Sequence, residues 1–114
     1  MIHTVIRDDR TSGRLEAHAD GQLAGRIEYF VLESPGRALV PVHTIVEPEY
    51  EGQGIAGSLA RELYSAAARE GIEVAPLCPY VVQWAARHPE EAPPASPELL
   101  SAAKEWVTAH PERW

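Results

Sequence analysis

The sequence predicts an α+β domain with a mixed, mostly antiparallel sheet of about five strands, one long crossover helix and short C-terminal helices. Three observations carry this expectation. Short β-like runs broken by turn residues fill the chain as far as Val46. One amphipathic helical pattern then occupies Gly54 to Glu70. A further apolar run follows that helix, and strands joined by a helical crossover run parallel.

The elements can be argued in order. Ile2 to Arg7 is a first strand, closed by the turn residues Arg10-Thr11-Ser12-Gly13. Arg14 to Ala19 alternates as a second, and Asp20-Gly21 signals a two-residue hairpin into a third from Leu23 to Leu32. Ser34-Pro35-Gly36 turns the chain into a fourth strand, Ala38 to Val46, where Pro41 predicts a bulge or an unpaired stretch.

In the long helix, Ile55, Leu59, Leu63, Ala66 and Ala67 share a face, and Gly71 sits where a helix C′ glycine belongs. Ile72 to Leu77 reads as the fifth strand. Pro79 opens a short helix reaching about Arg87, and Pro89 to Pro97 is a surface linker. Ser96-Pro97-Glu98 caps a last helix ending near His110, whose Leu99, Ala103, Trp106 and Val107 form an apolar stripe. That stripe must cover the sheet or join a second copy, so a homodimer through this helix is one expectation. The 114 residues read as one domain, with 93–114 as a C-terminal helical extension.

The bulk composition narrows the functional classes. A formal net charge of −7 without any local cluster of Lys or Arg disfavours nucleic acid and anionic membranes as partners, and suits a cationic amine. No run approaches the ~20 apolar residues of a membrane span, and the N-terminus lacks a signal-peptide pattern, so the expected compartment is the cytoplasm. The single cysteine, Cys78, excludes an internal disulfide. His3, His18, His88 and His110 lack metal-ligand spacing, and no metal is expected.

The chemistry-bearing segment is Glu51-Gly52-Gln53-Gly54-Ile55-Ala56-Gly57. Glycines at a helix start leave backbone amides unobstructed at the positive end of the helix dipole, which is a site for a pyrophosphate. Gly52, Gly54 and Gly57 also spell the dinucleotide pattern G-x-G-x-x-G, with Glu73 placed as a ribose ligand. A four-strand meander ahead of the turn argues against that reading. A nucleoside-triphosphate loop would need Gly-Lys-Ser/Thr, and Ile55 and Ala56 follow Gly54 instead.

Val46, Gly52, Gly54 and Ala56 fit Val-x-x-x-x-(Arg/Gln)-Gly-x-Gly-x-(Gly/Ala), so this segment resembles the acetyl-coenzyme A-binding motif of the Gcn5-related N-acetyltransferase superfamily. The resemblance runs from His43-Thr44 through Leu77-Cys78-Pro79-Tyr80 to Arg87-His88-Pro89-Glu90, and looks like the small YjdJ-type branch. It implies the acyl-CoA N-acyltransferase fold and acetyl transfer from acetyl-coenzyme A to an amine. It further implies that the backbone near Ile45 and Val46 pairs with the pantetheine arm and that amides from Gly52 to Ala56 hold the pyrophosphate. The acyl group would then lie between splayed fourth and fifth strands. Glu51 replaces the motif's usual Arg or Gln.

Candidates for the chemistry are few. Cys78, following the fifth strand at a helix start, is either a nucleophile or a pocket-lining residue. His43 is the candidate base for it, and equally a hydrogen-bonded core histidine. The glutamate base and tyrosine acid that the superfamily often carries have no clear counterparts: Ile45 is apolar, and Tyr80 is a weak substitute for the acid. An acyl-coenzyme A binding module without catalysis is the competing reading. Because only Asp8 to Gly13 separates the first two strands, an open acceptor side is expected, suited to a protein lysine, a chain terminus or a large amine.

Overall fold

In the computed structural model, which describes residues 4–113, β1 (Thr4–Asp9), β2 (Arg14–Ala19), β3 (Gln22–Leu32) and β4 (Ala38–Val46) form an antiparallel meander. After a single 3-10 turn at Pro48–Tyr50 comes α1 (Ile55–Glu70), then β5 (Glu73–Val74), α2 (Pro79–Arg87) and α3 (Pro97–Ala109). The sheet order is β1-β2-β3-β4-β5, and β5 pairs with β4 in parallel. The expected fold class is therefore the observed one. Ile2 and His3 of the predicted first strand lie outside the described residues, and β1 runs two residues past Arg7.

Local chemistry explains each joint. Asp20 (φ 52°) and Gly21 (φ 82°) both adopt the positive φ that a two-residue hairpin of the right twist requires. Gly13 is dictated by crowding: a Cβ there would sit 2.1 Å from the Tyr29 carbonyl oxygen, which Gly13 can approach only because it has none. Arg10 closes the same corner, bonding Tyr29 Oη through Nε at 3.0 Å and Glu70 through both terminal nitrogens. The β1–β2 turn is thereby fastened to the end of α1.

The sheet buries both faces. Leu15, Ala17, Ile27, Tyr29 and Leu39 pack beneath α1 and α2. Phe30, Leu32, Ala38 and Val40 pack beneath α3, through Leu99, Ala103 and the partly buried Trp106 and Val107. The C-terminal stripe thus covers the sheet. Ser96 caps α3 as expected, its hydroxyl accepting from the Leu99 amide at 3.3 Å.

β5 is shorter than the predicted Ile72–Leu77. The amides of Ala75 and Leu77 still reach the carbonyls of Leu39 and Pro41, at 2.9 and 3.1 Å. Pro41 faces β5 but lacks an N–H, so the parallel ladder loses that donor. Among the described residues no helix is long and apolar enough to cross a membrane.

Candidate functional site: a gap beside β4 and the start of α1

The bulge predicted from Pro41 falls next to it and decides which backbone groups are free. Tyr29 pairs with Pro41 and Glu28 with His43, leaving Val42 as the extra residue in β4. Before the bulge, Leu39 and Pro41 turn their carbonyls toward β5. After it, the Glu47 amide bonds Ala24 O at 2.8 Å, and hydrogen-bonded pairs alternate along an antiparallel ladder. Residues 43, 45 and 47 therefore spend their backbone groups on β3. Those of Thr44 and Val46 point to the side where β5 has already ended.

This phase refines one expectation. Val46 offers its backbone along the open edge, but Ile45 does not; Thr44 takes that place. The Ile45 side chain, opposite Arg26, projects from the α3 face and is exposed.

At the far end of that edge lies the glycine turn. Gly52 and Gly54 both have φ 80°, and Gly54 is the N-cap of α1 without any side-chain cap. The first amide turned into the helix ladder is that of Ser58, which bonds Gly54 O at 3.0 Å. Among the described residues, no acceptor meets the amides of Gly52, Gln53, Gly54, Ile55, Ala56 or Gly57. All of these residues except Gln53 border a cavity of about 290 Å³ lined also by Val46, Tyr50, Glu51 and Tyr80. Gln53's side chain is outside it, turned back toward Glu49 O at 3.5 Å.

Gly25 makes this approach possible, a role the sequence did not reveal. A Cβ there would lie 3.0 Å from Ile55 Cγ2 and 3.0 Å from Ile45 O, so only glycine lets the first turn of α1 sit against β3 and β4. Gly57 faces α2 without crowding, with Tyr80 Oη 3.5 Å and Trp84 Nε1 3.7 Å from where its Cβ would be. Tyr80 thereby reaches the cavity that Tyr50 flanks from the other side.

Cys78 stands where β4 and β5 part. Its amide bonds Pro41 O at 3.0 Å, its side chain is 4% exposed, and Sγ lies 3.2 Å from Thr44 Oγ1. The thiol's partner is thus Thr44. His43, expected beside Cys78, alternates to the other face, opposite Glu28, because adjacent strand residues project oppositely. That face beyond α3 carries a charged lattice: Arg26 Nε donates to Glu28 at 2.8 Å, and His18 Nε2 lies 3.0 Å from Glu16. Arg14 Nε is 3.2 Å from Glu16 but not in hydrogen-bond geometry. Acids and arginines balance here, so the chain's net negative charge is carried elsewhere.

The dinucleotide reading does not match this arrangement. Glu73 lines a different cavity, of about 250 Å³, with Tyr64, Ile72 and Pro93, and the sheet holds one parallel pair. Among the described residues no group of His, Cys, Asp or Glu is arranged to hold a metal ion.

Comparison with known proteins agrees with this geometry. No curated relative matches the chain. Among solved structures, a ribosomal-protein-alanine N-acetyltransferase from Brucella melitensis biovar Abortus 2308 is similar at 28% identity and TM-score 0.56, over 73% of this chain and 62% of its own. Two others share the fold. A predicted acetyltransferase with acetyl-CoA from Clostridium acetobutylicum has TM-score 0.54 at 17% identity, over 66% of this chain and 55% of its own. An aminoglycoside acetyltransferase from an uncultured soil metagenomic sample, in complex with trehalose, has TM-score 0.53 at 20% identity, over 73% and 57%. The chain spans 55% to 62% of the length of these structures. The model of one family, described as GCN5-related N-acetyl-transferase, matches residues 14–93, more than two thirds of the sequence, and the chain belongs to that family.

Proposed function

We propose that the domain transfers an acetyl group from acetyl-coenzyme A to an amine. The observation that carries this reading is the row of bare amides from Gly52 to Gly57, in line with the free β4 edge. An anion at the helix start gains direct hydrogen bonds and about 0.3 to 1 kcal/mol per charge from the helix dipole. Thr44 and Val46 supply the edge for an extended amide-bearing chain, as in an added strand. The donor, when bound, supplies an activated thioester.

The remaining roles follow from the same reading. Transfer forms a nitrogen–carbon bond, breaks the carbon–sulfur bond and releases a proton from the amine. Cys78, paired with Thr44 and separated from His43 by the sheet, lines the gap while the amine attacks directly. His43, on the α3 face, is the group we assign to receive that proton. Only Arg10 to Gly13 joins β1 to β2, so no helix walls this face there. The acceptor class it suits is a protein lysine, a chain terminus or another large amine.

Calorimetric titration with acetyl-coenzyme A tests the shared first step, and the absence of binding at tens of micromolar would sink the reading. Thiol release over a panel of peptides and amines tests the second. Binding without release would favour an acyl-coenzyme A binding module, to which the apolar Ile45 lends support.

A further inference from the structure

Within the proposed acyl-coenzyme A site, the floor of the β4–β5 gap is built rather than open. The Pro41 carbonyl accepts from both Leu77 and Cys78, at 3.1 and 3.0 Å, which fixes the depth at which the strands separate. One step above, Thr44 Oγ1 and Cys78 Sγ meet across the gap at 3.2 Å on the α1 face. Cys78 packs in the same buried cluster as Val81 and Trp84, and Thr44 is in contact with its sulfur from the other side of the gap. On the opposite face Val42 and Leu77 pack against the α3 cluster. A group threaded along the β4 edge from the helix start meets a wall at this point.

We propose that Thr44 and Cys78 set the length of the acyl group, admitting two carbons and rejecting four. The inference rests on the reading of the gap as the acyl-coenzyme A site. It assigns the buried thiol a specificity role that needs no reaction at sulfur. Close-packed walls discriminate by single methylenes, each worth about 10- to 200-fold in favourable cases.

The test is to titrate the protein with acetyl-, propionyl- and butyryl-coenzyme A, and to measure kcat/KM for each with one amine. The unaltered protein should favour acetyl over butyryl by about tenfold or more in affinity and turnover. Cys78→Ala, which removes only the sulfur, should narrow that ratio by about tenfold. Thr44→Ser keeps the hydroxyl partner, removes one methyl and should narrow the ratio by a smaller factor, which serves should Cys78→Ala fold poorly. Ratios unchanged within about threefold in both variants overturn the wall, as does equal affinity of the unaltered protein for acetyl and butyryl donors. No binding of any donor by the unaltered protein would instead remove the proposed function itself.

Discussion

His88 Nδ1 donates to the Trp84 carbonyl at 2.8 Å while its ring stacks on the Trp84 indole, with centroids 4.2 Å apart. His110 repeats this on Trp106 at 2.7 and 3.8 Å. Both helices end in Trp-x-x-x-His-Pro-Glu, and both histidines leave helical geometry alike, at φ −132°, ψ 57° and φ −128°, ψ 55°. The following proline disfavours helical geometry in the residue before it, and the imidazole satisfies a carbonyl the helix can no longer use. A stop signal is thus used twice.

Replacing either histidine by alanine should remove about 1 kcal/mol for the hydrogen bond and a similar amount for the stacked pair. The expected loss is about 1–2 kcal/mol, read as a fall in thermal midpoint. Unchanged midpoints in both variants would show the caps to be incidental.

Gly54→Ala meets no atom within 4 Å, so its cost is conformational, about 1–2 kcal/mol for an L-residue at φ 80°. Relief of that strain by relaxing the turn would misalign the amides. Donor affinity should therefore fall by about tenfold, a larger effect than alanine at Gly36, likewise without a neighbour within 4 Å, produces.

Gly25→Ala differs in kind. The new Cβ presses on Ile55 and the Ile45 carbonyl, and overpacking of this sort costs about 1–3 kcal/mol. The start of α1 should shift, lowering both stability and donor affinity together.

Glu51→Gln removes the negative charge at the mouth of the anion cavity. Donor affinity should rise about 2- to 5-fold at low ionic strength, and the gain should shrink as salt screens it. An affinity gain that is independent of salt would indicate a steric origin.

Burial pushes Tyr64 up to about 12 and raises Tyr29 further, the latter with help from its hydrogen bond to Asp8. Both lie above the ordinary 10.0 of the unfolded chain, so the folded state holds protons that the unfolded state releases. Their contribution to stability is complete below pH 10, and that of Tyr64 is lost as pH rises through about 12, with Tyr29 following above it. Ultraviolet titration of the folded protein should show both phenols ionising only well above pH 10, together with unfolding. Ordinary titration near pH 10 would contradict the burial.

The meander, the hairpin at Asp20-Gly21, the crossover helix and the Ser96 cap were readable because each is fixed by neighbours in sequence: positive φ, side-chain period, or a hydroxyl three residues from an amide. The glycine turn was readable for the same reason. What escaped were relations between distant residues. The bulge at Val42 flips the phase of β4, so that Thr44 rather than Ile45 faces the gap; periodicity along one strand carries no information on which edge its backbone serves. His43 and Cys78 seemed partners by their place on neighbouring strands, yet alternation puts His43 on the other face. The contact between Gly25 and Ile55 joins residues thirty apart, and the His-Pro-Glu echo had no meaning without the stacked rings.

The contrast between Ser96 and Gly54 has a thermodynamic consequence. One helix carries its own cap; the other begins with a residue that has no side chain to offer. A bound anion would complete α1 as a hydroxyl completes α3. Occupancy and folding are then linked: saturation at about a hundred times Kd adds about 2.7 kcal/mol. Hydrogen exchange should register that gain most strongly at the amides of Ile55 to Gly57, fast when the protein is empty and slowed when the missing cap arrives.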